Sequence, residues 1–119
     1  MRMFELEITN EWPDEALERI GINSTTAVVT LTHDSKLDDP TLVAALRSES
    51  FYIGALGSKK THKKRLDRLR DIGFDDETLR RINGPVGLSI NAQSPEEIAI
   101  AILAQVIENR RNSLTGKFK

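Results

Sequence analysis

A chain of 119 residues, 39% hydrophobic and 29% charged, has the make-up of a single folded domain with enough apolar side chains for a core and no membrane-spanning run. The absence of cysteine removes disulfides, thiolate nucleophiles and cysteine-ligated metal centres together, and suits a reducing, cytoplasmic setting. The net charge of −1 hides an asymmetry, because residues 1–49 carry 4 Lys and Arg against 10 Asp and Glu while residues 50–119 carry 13 against 8.

The first residues resemble neither a signal peptide nor a transit sequence. Met3 to Thr9 alternates imperfectly between apolar and acidic residues and predicts a half-exposed strand. Pro13 in a first turn, acids beside it and Gly21 at the far end predict a short helix. Thr25 to Thr32 is a continuous β-branched run, the pattern of a strand covered on both faces in a parallel sheet. A polar turn follows, and Asp39-Pro40 supplies a cap and a first-turn proline for a helix that runs to about Ser48.

Phe51 to Leu56 predicts a second buried strand, and Gly57-Ser58 leads from it into a basic helix ended by Gly73. From Lys59 to Arg70 that helix holds 7 basic residues and 1 acidic one, with Leu66, Leu69 and Ile72 as its core stripe and most of its cations towards solvent. No aromatic residues interleave with the run, so nucleic-acid binding is not expected. Asp75 to Ile82 predicts one or two helical turns broken at Asn83-Gly84-Pro85, and Val86 to Ile90 a fourth strand. Ser94-Pro95-Glu96-Glu97 is a capping box that opens a helix to about Arg111, apolar almost all round and therefore expected to be covered on more than one side. Residues 112–119 read as a frayed tail.

Strands alternating with helices predict a single α/β domain over residues 1–119, a three-layer Rossmann-like parallel sheet of about four strands. Ligands in such sheets bind beyond the carboxyl ends of the strands, where helix N-termini point their amides. Three loops meet that condition: Thr32-His33-Asp34 and its continuation, Gly54 to Ser58, and Leu88 to Ser94. Gly54, Gly57, Ser58 and the lysines after them suit either an anion site or a plain tight turn, and lack the spacing of a Walker A loop. His33 and Asp34 form a candidate base and orienter, and His62 a second base, yet no activated nucleophile completes a catalytic set and no metal-ligand spacing appears.

Taken together, Thr32 to Pro40 (T-H-D-x-K-x-D-D-P), Tyr52 to His62 (Y-I-G-A-L-G-S-x-x-T-H), Gly84 to Leu88 (G-P-V-G-L) and Ser94 to Ala99 (S-P-E-E-I-A) resemble the C-terminal Rossmann domain of the xanthine dehydrogenase accessory (XdhC/CoxI) family, over residues 10–111. Such proteins are chaperones that bind the molybdenum cofactor, a phosphate-bearing pterin, and deliver it to enzymes such as xanthine dehydrogenase. The resemblance implies an accessory module in molybdoenzyme maturation, with the molybdenum cofactor or a nucleotide as ligand and a molybdoenzyme as client. It places Thr32, His33, Asp34, Gly54, Gly57, Ser58 and Thr61 along the ligand crevice, bordered by Asn91 and Ser94.

Two departures stand out. The family has Ile-Gly-Ala where this chain has Ile90-Asn91-Ala92, and the strand, G-x-G-H turn and second strand that open the family's Rossmann domain do not precede Met3. The pattern is thus the later half of a doubly wound fold, with the Thr25 to Thr32 strand at the position that would pair with the missing first strand. An apolar edge left open predicts either pairing by Met3 to Thr9, a homodimer, or a complex with a separately encoded N-terminal half. Two other functional classes stay open: a ligand-free assembly module that has lost the cofactor-binding half, and an enzyme for a small phosphorylated substrate.

Overall fold

Three short runs pair side by side in one parallel sheet in the computed structural model, which describes residues 6–32 and 34–115. They are β1 (Ala27–Thr30), β2 (Tyr52–Ala55) and β3 (Ile82–Asn83), in that order across the sheet. Val28 lies beside Ile53, and Ile53 beside Ile82. The helices are α1 (Pro13–Ile20), α2 (Ser35–Leu46), α3 (Lys59–Ile72), α4 (Asp76–Leu79) and α5 (Pro95–Thr115). None of them is long and apolar enough to cross a membrane.

Residues two apart on a strand face opposite ways from the residue between them, and β2 shows both outcomes. Ile53 and Ala55 enter a core with Val28, Leu42, Ala45, Leu46, Leu69, Leu79 and Ile82, so α2, α3 and α4 cover that face. The Tyr52 hydroxyl, on the other face, donates to Gln105 Oε1 of α5 at 2.5 Å. α5 covers this second face together with Val86 of the loop before it, and α1 packs outside α2.

Several expectations need correction. Among the described residues the sheet has three strands rather than about four. Val86 to Ile90 forms no strand, because after Val86 N–H bonds Ala55 O at 3.2 Å the chain turns away at Gly87, at φ +98°, and Leu88 N–H bonds Ala101 O of α5 at 3.1 Å instead. The third strand is Ile82–Asn83, inside the segment read as helix and turn. The strand buried on both faces is β2, whereas Ala27 of β1 is exposed, since β1 lies at the sheet edge. Residues 6–9 of the Met3 to Thr9 segment form no strand, and residues 1–5 lie outside the described residues, so no described segment pairs with the free side of β1.

Helix ends moved where a stronger local cap was on offer. α2 begins at Ser35 because the Asp34 carboxylate accepts from Lys36 N–H at 2.9 Å, which leaves Pro40 inside the helix rather than opening it. Close to the N-terminus a proline costs one intrahelical bond, and Thr41 Oγ1 bonds back to Leu37 O at 2.8 Å across that turn. α5 continues to Thr115, so the first residues of the expected tail are helical. Ile72, assigned to the core stripe of α3, is 52% exposed, and α5 buries only one side.

Candidate functional site

The carboxyl ends of β1 and β2 are tied together by Leu56 N–H donating to Thr30 O at 2.9 Å, which sets residues 31–32 beside loop 56–58. In the first loop Thr32 Oγ1 accepts from Asp34 N–H at 3.1 Å and donates to Asp38 Oδ1 at 2.8 Å. That pins the start of α2, whose Asp34 cap is itself exposed. His33 lies outside the described residues. The Thr30 hydroxyl is buried without a hydrogen-bond partner among the described residues.

The second loop is built around Gly57, at φ +141°, a region that side chains other than glycine's rarely occupy. A Cβ there would also lie 3.0 Å from Thr61 Cγ2. Ser58 Oγ then caps α3 by accepting from Thr61 N–H at 3.1 Å and lies 3.1 Å from Thr61 Oγ1. Gly57, Ser58 and Thr61 thus form one turn at a helix N-terminus, whose first amides have no intrahelical acceptor, with the exposed Lys59 and Lys60 beside it.

Behind this turn stands a residue that the sequence pattern put towards solvent. Arg65 is 3% exposed, its Nη2 donating to Leu56 O at 2.8 Å and its Nη1 to His62 Nδ1 at 3.1 Å. Arginine only donates, so Nδ1 accepts and neutral His62 carries its proton on Nε2. Burial works against the Arg65 charge and draws its pKa down, while Asp38 and Asp39 pull the other way. Asp38, 5% exposed, has its carboxyl pushed up by burial, against the Thr32 hydrogen bond and the Arg65 charge. The one trace of this in the sequence is spacing: Arg65 precedes Leu69 of the core stripe by four residues, on the same face of the helix.

Burial first, and Arg65 second, hold the His62 pKa below its ordinary value of 6.5. The unfolded chain therefore takes up this proton at a higher pH than the folded one, and in that window stability must fall as pH falls. Urea denaturation between pH 7.5 and 5 should show a steeper loss for the native chain than for His62→Gln. Equal slopes would remove His62 as the cause.

The remaining candidates stand elsewhere. Gly54 is buried within β2, where the space of a Cβ is taken by Val86 and Tyr52. Asn91 and Ser94 belong to the loop before α5, which covers the opposite face of the sheet from α2 and α3. Asn91 takes φ +56°, which asparagine tolerates better than most side chains. Ser94 is committed to the capping box, its hydroxyl accepting from Glu97 N–H at 3.1 Å while Glu97 Oε1 accepts from Ser94 N–H at 2.9 Å and Gln93 N–H at 2.8 Å. These bonds lower the Glu97 pKa and place a carboxylate at that helix start, so α3 is the better anion site.

Among the described residues no group of three His, Cys, Asp or Glu side chains is placed to hold a metal ion. Two cavities lie elsewhere: one of about 780 Å³ runs between α1 and α2 and includes Leu17, Val43 and Arg47, and one of about 450 Å³ lies against His62, Arg70 and Leu79.

Residues 2–106 match the family model of the XdhC Rossmann domain. The chain is 39% identical over 89 residues to the molybdenum cofactor insertion chaperone PaoD of Escherichia coli, covering 75% of this chain and 28% of that protein. It is 30% identical over 106 residues to a Bacillus subtilis protein named as a probable subunit of xanthine dehydrogenase, covering 88% of this chain and 30% of that one. A crystal structure of a xanthine dehydrogenase from Bacillus halodurans superimposes with a TM-score of 0.69 at 37% identity, over 86% of this chain and 28% of that chain. The chain therefore spans less than a third of the length of these relatives.

Proposed function

This chain belongs to the XdhC Rossmann-domain family, and from that premise we propose that it is an accessory module in the maturation of a molybdoenzyme, holding a phosphorylated cofactor. The observation that carries the reading is the α3 turn. Gly57 leaves its backbone open, the first amides of α3 and the charges of Lys59 and Lys60 face outward, and buried Arg65 fixes the turn from behind. A phosphate fits this donor set, and no carboxylate caps this helix as Glu97 does α5.

The ligand is the molybdenum cofactor or a nucleotide, and the client a cytoplasmic molybdoenzyme such as a xanthine dehydrogenase. Gly57, Ser58 and Thr61 would hold the phosphate, with Thr32 and Asp34 across the crevice; Gly54, Asn91 and Ser94 would act on packing and loop shape rather than on the ligand. The cofactor brings the molybdenum chemistry, and this chain contributes binding and orientation.

Native mass spectrometry of the gently purified chain should detect a bound pterin or nucleotide. Calorimetry with AMP and with molybdopterin released from a molybdoenzyme should show binding that Gly57→Ala weakens at least tenfold and Lys63→Ala leaves unchanged. No retained or added ligand at millimolar concentration would overturn the reading. That outcome would favour the second one, a ligand-free assembly module, for which the bare face of α5 and the open edge of β1 speak.

A further inference from the structure

Ile100, Leu103, Ile107 and Leu114 of α5 are 61%, 61%, 60% and 65% exposed. They recur at intervals of three, four and seven residues, the a and d positions of a heptad seam, with Glu96 and Arg110 filling the remaining d positions. The packed side of the helix is a different one: Ala101 is buried, and Gln105 binds Tyr52 and Gly87. A helix of 21 residues is about 31 Å long, so the seam is extended.

The seam continues into the sheet edge. Thr25, next to the start of β1, shares a groove of about 540 Å³ with Phe51, Ile107 and Leu114. Beyond it the free side of β1 reads Ala27-Val28-Val29-Thr30, without the charge or proline that ordinarily protects an edge.

We infer that a second copy of this chain docks on this surface, α5 packing antiparallel against α5 of its partner across a two-fold axis, with the two β1 edges on the same side. The charges select that occupant and that direction. Glu96 and Glu97 stand in the first turn of α5, and Arg110 and Arg111 towards its end. Antiparallel copies set the acids of each helix against the bases of the other and oppose their dipoles favourably, whereas parallel copies would set like against like. A surface complementary to itself in this way is what a two-fold dimer uses.

Light scattering of the 119-residue chain at 50 µM should give the mass of a dimer. Leu103→Asp should give a monomer with an unchanged circular dichroism spectrum. Should that variant unfold, Glu96→Arg weakens the dimer about tenfold and adding Arg111→Glu restores it. Because the chain has no cysteine, Leu103→Cys should cross-link to its own copy on oxidation, and Lys63→Cys on α3 should not. A monomer at 50 µM overturns the inference, as does a dimer indifferent to Glu96→Arg that gives no Leu103→Cys cross-link.

Discussion

Replacing Arg65 by alanine should lower the unfolding free energy by about 3 kcal/mol and weaken the phosphate binding proposed for the α3 turn. The guanidinium is 3% exposed and donates to Leu56 O and His62 Nδ1, so its removal leaves both acceptors without their donor and opens a void under the Gly57 turn. Hydrogen bonds to a charged group contribute about 1.5–3 kcal/mol each. Part of that is offset, because the buried charge and its desolvation disappear too. Arg65→Met separates the two effects: it keeps the volume and gives up the charge, and should cost roughly half as much. Urea denaturation followed by circular dichroism measures both variants. A loss under about 1 kcal/mol for alanine would mean that the turn stands without Arg65.

Gly54→Val should cost a similar amount, about 3 kcal/mol, for the opposite reason, excess volume. A Cβ at Gly54 would meet Val86 Cγ2 and come 2.9 Å from Tyr52 Cε2. Neither neighbour is free to move aside. Val86 N–H is bonded to Ala55 O, and the next residue, Gly87, donates to Gln105 Oε1, which also accepts from the Tyr52 hydroxyl. β2 itself pairs on both sides and cannot shift. Gly54→Ala should show the same sign at about half the cost. Thermal or urea unfolding within about 0.5 kcal/mol of the native chain for the valine variant would rule out the packing account.

Much of the fold was readable from neighbouring residues. Gly21 and Gly73 end α1 and α3, Ser58 caps α3, and the Ser94 to Glu97 capping box opens α5, because each of these signals is closed by hydrogen bonds within four residues. Gly57 and Ser58 of the candidate turn were readable for the same reason, while Thr61 entered through the family resemblance. What failed was whatever depended on distant partners. β3 has only two residues and no periodicity of its own; it exists because Ile82 and Asn83 lie beside Ile53 and Gly54. Arg65 looked like one more cation in a basic helix until the Leu56 carbonyl supplied it with an acceptor.

The sequence by itself determined the alternation of strands and helices, the caps that bound most of them, and the spaced motifs that mark the XdhC Rossmann family. Only the tertiary structure decided that β2 is the strand buried on both faces and Ile82–Asn83 its second neighbour, that Arg65 and Asp38 go inside, and that the second side of the apolar helix α5 stays bare. Caps and turns are settled by bonds between near neighbours. Edges, buried charges and uncovered faces depend on which segments far apart in the chain come to lie side by side.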